Sequence, residues 1–175
     1  MNRMVLSELR LGDEDDVLEV GFGGGALLAA IRERTRGRVH GADPSPAAVA
    51  RARRRFGDAV ELHLAPVEAL PLGSASVDKA ASVNNIYFWS EPEVAAAELA
   101  RVLRPGGLLA VAFEPPEELR KWPGHRHGFR LWSEEEVRAL MAAAGFEQIR
   151  AAWGTGRKPD RFLCLTGTRG RAEAE

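Results

Sequence analysis

The chain has 175 residues, 45% hydrophobic and 28% charged, with Lys+Arg 24 against Asp+Glu 25 and a formal net charge of −1. That size and balance describe one globular domain with its own core. They disfavour a dedicated nucleic-acid surface, and no apolar run approaches the ~20 residues of a membrane span. The single cysteine, Cys164, excludes an internal disulfide and a cysteine-based zinc site. The N-terminus lacks the apolar core of a signal peptide, so the expected location is the cytoplasm.

A short mixed stretch opens the chain, with a helical turn around Val5–Leu9 ended by Gly12-Asp13. Strand one follows at about Asp16 to Val20, continuous and apolar as a strand buried on both faces should be. A helix is expected from Gly24 to Arg36, with Gly37 as its stop. Strand two is Arg38 to Ala42, ending at Asp43. Ser45 then caps a helix that carries Pro46 in its first turn and runs to about Arg55.

Val60 to Ala65 alternates and reads as strand three, with His63 in a structural position. Val67 to Ser76 is a loop with at most one helical turn, because Pro71, Gly73 and two serines interrupt it. Strand four is Val77 to Val83. Ser90 to Glu93 has capping-box spacing and opens a helix that ends at Arg104, before Pro105-Gly106-Gly107. Strand five is Leu108 to Phe113. Residues 115–132 form the longest irregular stretch, and Ser133 to Glu136 is a second capping box for a helix stopped by Gly145. Phe146 to Trp153 and Arg161 to Thr168 are strands six and seven, paired antiparallel across a short loop. Strands alternating with helices imply a doubly wound α/β domain over residues 1–168, mostly parallel, followed by a polar tail at 169–175.

The densest signal is Glu19-Val20-Gly21-Phe22-Gly23-Gly24-Gly25, a strand, a glycine turn and a helix start. Glycines let a ligand approach the backbone closely, and the helix behind them offers free N–H donors. Two patterns overlap here. Gly21 to Ala26 fits the dinucleotide pattern, while Glu19, Gly21, Gly23 and Gly25 fit acidic-x-G-x-G-x-G. Asp43, at the end of strand two, suits ribose hydroxyls in either case. A dehydrogenase normally needs further protein to hold a substrate against its nicotinamide, and this chain stops after seven strands.

The segments Val17–Gly25, Gly41-Ala42-Asp43-Pro44-Ser45, Val67–Leu72 with Val77-Asp78, Glu98–Gly107 and the closing strand pair together resemble the class I S-adenosylmethionine-dependent methyltransferases. The leucine-arginine-proline-glycine-glycine turn before strand five is specific in that company. The resemblance covers residues 8–168 and implies a seven-stranded sheet in the order 3-2-1-4-5-7-6, with strand seven antiparallel and helices on both faces. The cofactor is then S-adenosylmethionine, at the switch point between strands one and four.

By that resemblance the methionine end lies against Glu19, Gly21, Phe22, Gly23 and Gly25. Asp43 holds the ribose, and Pro44 packs on the adenine. Pro66 stands where many relatives carry an acid for the adenine amino group, leaving the Val67 N–H as a donor. Asn84 and Asn85 stand where amino-methylating enzymes of the fold carry Asn/Asp-Pro-Pro-aromatic. Both prolines are absent, which lowers the odds of a nucleic-acid base or glutamine-amide acceptor. Tyr87, Phe88 and Trp89 line an acceptor pocket or pack under the next helix, with the two alternatives near even.

No general base stands out; His125, His127 and Tyr87 are weak candidates, and no metal is expected from the isolated His-x-His. Relatives usually carry a few tens of residues before strand one, against about 15 here. The cofactor site is therefore expected to be open, covered by a partner chain or second copy, or shortened. The first expectation is methyl transfer to a small-molecule acceptor. The alternative is a protein that binds S-adenosylmethionine or S-adenosylhomocysteine with little activity and acts in an assembly.

Overall fold

The computed structural model describes residues 1–122, 130–156 and 160–171. Seven strands form one sheet: β1 (Val17–Val20), β2 (Val39–Asp43), β3 (Glu61–Leu64), β4 (Val77–Val83), β5 (Leu103–Phe113), β6 (Phe146–Thr155) and β7 (Arg161–Arg169). Their order is β3-β2-β1-β4-β5-β7-β6. β1 to β5 pair in parallel, and β7 runs antiparallel to both neighbours, β5 and β6. Order and direction match the expectation.

Helices cover both faces. α1 (Asn2–Leu9), α2 (Ala26–Arg32) and α3 (Pro46–Phe56) share one core cluster with Val17, Val39 and Val60. α4 (Pro92–Val102) and α6 (Glu134–Ala143) share the other with Leu18, Val20 and Leu109, and the short α5 (Pro116–Leu119) adds Leu119 to it. β1 and β2 are buried at every position, as interior strands of a doubly wound sheet must be. Among the described residues no helix is long and apolar enough to cross a membrane.

Several boundaries differ from the expected ones, each for a local reason. α1 is a full helix rather than one turn, because Val5, Leu6 and Leu9 bury against β4, β5 and β7. α2 ends at Arg32, short of Arg36. Thr35 leaves the helix, buries, and donates its hydroxyl to Asp15 O at 2.8 Å, while Gly37 lies so close to the Asp15 carbonyl that no side chain fits there. The expected box at Ser90 does not form. The Glu68 carboxylate accepts from Ser90 N at 2.8 Å and from its hydroxyl at 3.1 Å, so a distant side chain orders the entry to α4. The box at Ser133 and Glu136 does form. β5 starts at Leu103 and includes the proline-glycine-glycine turn as an irregularity against β4, with Gly106 at φ +82°. Arg169 belongs to β7, pairing with Phe146, and not to a tail.

Candidate cofactor site

The carboxyl ends of β1 and β4 are adjacent, and their connections leave to opposite faces of the sheet. That is the switch point where doubly wound sheets bind ligands. The glycine loop sits there with Gly21, Gly23 and Gly25 at φ +66°, +49° and +70°. These conformations are cheap only for glycine. A Cβ at Gly21 would lie 2.1 Å from the Asn85 amide, whereas at Gly23 and Gly24 it would meet nothing within 4 Å. So Gly21 is required by protein packing, and Gly23 and Gly24 form the open lip.

The loop does not present all its donors. Gly21 N donates to Ala42 O at 2.7 Å, Gly25 N to Phe22 O at 2.8 Å, and Gly23 N to Asp43 Oδ2 at 2.9 Å. Arg55 donates to the carbonyls of Gly24 and Gly25 from behind. The expectation that the loop's N–H groups wait for a ligand is corrected: three of them close on protein acceptors. A pyrophosphate cradle needs such groups free.

What the site does leave unsatisfied is negative. Glu19 is buried on β1, and among the described residues its Oε2 has no hydrogen-bond partner. Burial pushes its pKa up to about 8, with a bond from Leu28 N–H working against the shift and the nearby Asp43 adding to it. A buried carboxylate without a partner is costly, and a cation is the group that relieves it. Asp43 is 6% exposed and accepts from Gly23 N and from Ser45 N, 2.9 Å each. Each of its oxygens keeps lone-pair capacity for a further donor. Ser45 caps α3 through Ala48 N, which leaves Asp43 clear of that task.

The other candidate residues divide. Pro44 and Pro66 are exposed at the ends of β2 and β3, and Val67 is buried in the core beside them. The Phe22 side chain points into the core against Gly41, so only its backbone faces the loop. Asn85 is fixed by the Trp89 indole, which donates to its Oδ1 at 2.8 Å. Asn84 has φ +51° and accepts from the Tyr87 hydroxyl at 3.3 Å. Tyr87 and Trp89 are buried in the core, while Phe88 is 58% exposed, so the aromatic trio splits between packing and surface. Burial pushes the Tyr87 phenol far above its ordinary pKa, and its oxygen accepts from Glu114 N, which makes it a structural tie rather than a ready base. His125 and His127 lie outside the described residues.

Two residues were missed. Leu64, 56% exposed, ends β3 in register with Asp43 and extends the apolar rim formed by Pro44 and Pro66. Its place at a strand's end was the available signal. Glu114 directly follows β5, and burial together with the Glu118 charge raises its pKa. The sequence carries no sign of that, since both causes are tertiary.

The switch point of this α/β sheet thus joins the glycine loop, the buried Glu19 with one unpartnered oxygen, and Asp43. Residues 18–111 match the methyltransferase domain family. The chain is 31% identical over 168 residues to the uncharacterized methyltransferase YdaC of Bacillus subtilis, covering 95% of this chain and 90% of that protein. It spans about half the length of several other curated relatives. Among solved structures, a Thermotoga maritima S-adenosylmethionine-dependent methyltransferase, named as a possible histamine N-methyltransferase, is 28% identical. It has a TM-score of 0.77, with 96% of this chain and 90% of that one covered. A Haloferax volcanii protein in complex with the methyltransferase activator Trm112 has a TM-score of 0.86 at 22% identity, with 97% and 88% covered, and shares the fold. The chain therefore belongs to the class I S-adenosylmethionine-dependent methyltransferase family, whose cofactor is S-adenosylmethionine.

Proposed function

We propose that this chain transfers a methyl group from S-adenosylmethionine to a small-molecule acceptor. The observation that carries the proposal is the buried Glu19 carboxyl group, with one oxygen unpartnered among the described residues, beside a glycine loop in which the Gly21, Gly23 and Gly25 N–H groups bond protein acceptors. Such a site fits a cofactor with ammonium and sulfonium charges and rejects a pyrophosphate. When bound, the cofactor supplies an electrophilic methyl carbon with a good leaving group.

In this reading Glu19 accepts from the methionine ammonium, and Asp43 accepts from the ribose hydroxyls with its remaining lone pairs. Pro44, Leu64 and Pro66 bound the adenine, with Val67 N–H as donor to the ring. Asn84 and Asn85 shape the floor at the end of β4. The acceptor enters over β4 and β5, where Phe88 is exposed. Alignment and water exclusion supply most of the rate, because no covalent help is needed. Where the acceptor arrives protonated, Glu114 takes the proton, its raised pKa suiting that task.

A second reading is activity that depends on a partner chain, favoured by the Haloferax volcanii fold neighbour that is complexed with an activator. Calorimetric titration with S-adenosylmethionine, S-adenosylhomocysteine and NAD tests the cofactor. Tight binding of the sulfur compounds and none of NAD is expected, and failure of both sulfur compounds to bind below millimolar overturns the proposal. A panel of small acceptors with labelled methyl donor tests activity. Cofactor binding without transfer to any of them moves the weight to the partner-dependent reading.

A further inference from the structure

Across β2 and β3, below the carboxyl edge that carries Asp43, the fold gathers three side chains that sequence spacing does not join. His40 on β2 stands in register with Glu61 on β3, and His63 follows two residues along β3. Alternate residues share a face, so all three project to one side of the sheet. It is the face of Leu18, in register with His40, and the connection from β3 to β4 crosses it as a loop rather than a helix. His40 is buried, His63 half-buried and Glu61 exposed.

The distances suit an ion. His63 Nε2 lies 3.4 Å from His40 Nδ1, and Glu61 Oε2 lies 3.4 Å from the same nitrogen. All three donor atoms fall within 4.8 Å of one another. A tetrahedral ion with bonds of about 2.0–2.1 Å holds its ligands roughly 3.3–3.4 Å apart. The ring centroids are 5.7 Å apart with planes at 23°, so the two imidazoles meet through nitrogen edges rather than faces. Without an ion, one facing nitrogen must carry a proton and point it at the other. The nearest fixed cation, Arg38, is paired with Asp16 at 3.1 Å, which in turn binds Arg104 at 3.0 Å, so its charge is largely cancelled.

We propose that His40, Glu61 and His63 bind one divalent transition-metal ion of the zinc class, with an open fourth position. Two imidazoles among three donors select such an ion over calcium or magnesium. The ion ties the edge strand β3 to β2, and so steadies the strand that ends in Leu64 beside Asp43. This site is independent of the methyl-transfer proposal.

Titration of the metal-free protein with zinc chloride should give one-to-one binding at micromolar concentration or tighter, with a rise in melting temperature. Cobalt chloride should give the intense visible bands of a low-coordinate ion, and calcium and magnesium should give neither. His63→Ala should weaken zinc binding by about a hundredfold or more, and Glu61→Gln by about tenfold. Both residues reach the surface, so these variants fold even if His40→Ala does not. Absence of zinc binding, or binding unchanged in His63→Ala, overturns the proposal.

Discussion

The two ends of the parallel sheet treat charge in opposite ways. At the amino end, Asp16 and Asp78 share Arg104 at 3.0 and 2.6 Å, and Arg38 adds a bond to Asp16 at 3.1 Å. Burial works to raise the Asp16 pKa, but these bonds outweigh it and hold it at about 2. These four charged groups are paired with one another within the chain. At the carboxyl end, Glu19 is buried with one oxygen unpartnered and its pKa raised to about 8. Positive φ angles cluster beside it at Gly21, Gly23, Gly25 and Asn84. The Asp16, Asp78, Arg38 and Arg104 network is satisfied within the chain; the carboxyl end carries positive-φ backbone and a buried carboxyl group with an unpartnered oxygen, which is where a binding site is expected.

The comparison can be broken most severely at Gly21. Gly21→Ala forces a Cβ into the Asn85 side chain at φ +66°. It should cost about 3 kcal/mol of stability or displace the loop, read as a lower melting temperature together with lost cofactor binding. Unchanged melting and binding would mean the loop is not tied to Asn85.

Glu19→Gln should weaken S-adenosylmethionine by about 2–3 kcal/mol, the scale of a buried charge-assisted bond, measured by calorimetry. Equal affinity would remove Glu19 from the site. Asp43→Ala should cost about 1–3 kcal/mol of binding through lost ribose bonds. It also frees Gly23 N–H, so a melting-temperature measurement alongside separates loop damage from lost contact.

Proton linkage sharpens the contrast. Cofactor affinity should rise with pH by up to about tenfold per unit as Glu19 ionises toward pH 8, then fall as the cofactor's α-ammonium, with an ordinary pKa of about 7.7–8.0, loses its proton. Glu19→Gln should flatten that profile. In the ligand-free protein the sign reverses. The raised folded pKa means that this group's contribution to stability is full below the unfolded value and is lost as pH rises through about 8. Asp16 behaves oppositely: its contribution is present above its ordinary value of 3.8 and is lost as pH falls through about 2. The smallest effect is Arg104→Ala, which should lower stability by about 1 kcal/mol and leave cofactor affinity untouched. A change in affinity there would show the two ends to be coupled.

The elements and the antiparallel pairing of the last two strands were legible from local signals, whereas strand order and cofactor class came from the resemblance of several segments together to one family. Apolar runs of strand length, glycines at fixed spacing and the proline-glycine-glycine turn state their roles within a few residues. The end of α2 was not legible, because Thr35 is pulled out of the helix by carbonyls some 20 residues earlier in the chain. Nor was the capping of α4 by Glu68, a contact between side chain and backbone 22 residues apart. Tyr87 looked like a base on its position alone. Its burial and its tie to Glu114 N–H make it a brace.

By itself, then, the sequence determined that this chain is a doubly wound sheet with a glycine loop and two acids, Glu19 and Asp43, at its switch point. Periodicity and turn chemistry act over a few residues, and that reach is enough to specify the elements; their order in the sheet, and with it the switch point, was implied by the family resemblance. Only the tertiary structure decided which loop N–H groups close on protein acceptors, that one Glu19 oxygen lacks a partner among the described residues, and that His40, Glu61 and His63 converge. Those outcomes depend on burial and on contacts between strands distant in sequence, and no window of neighbouring residues contains them.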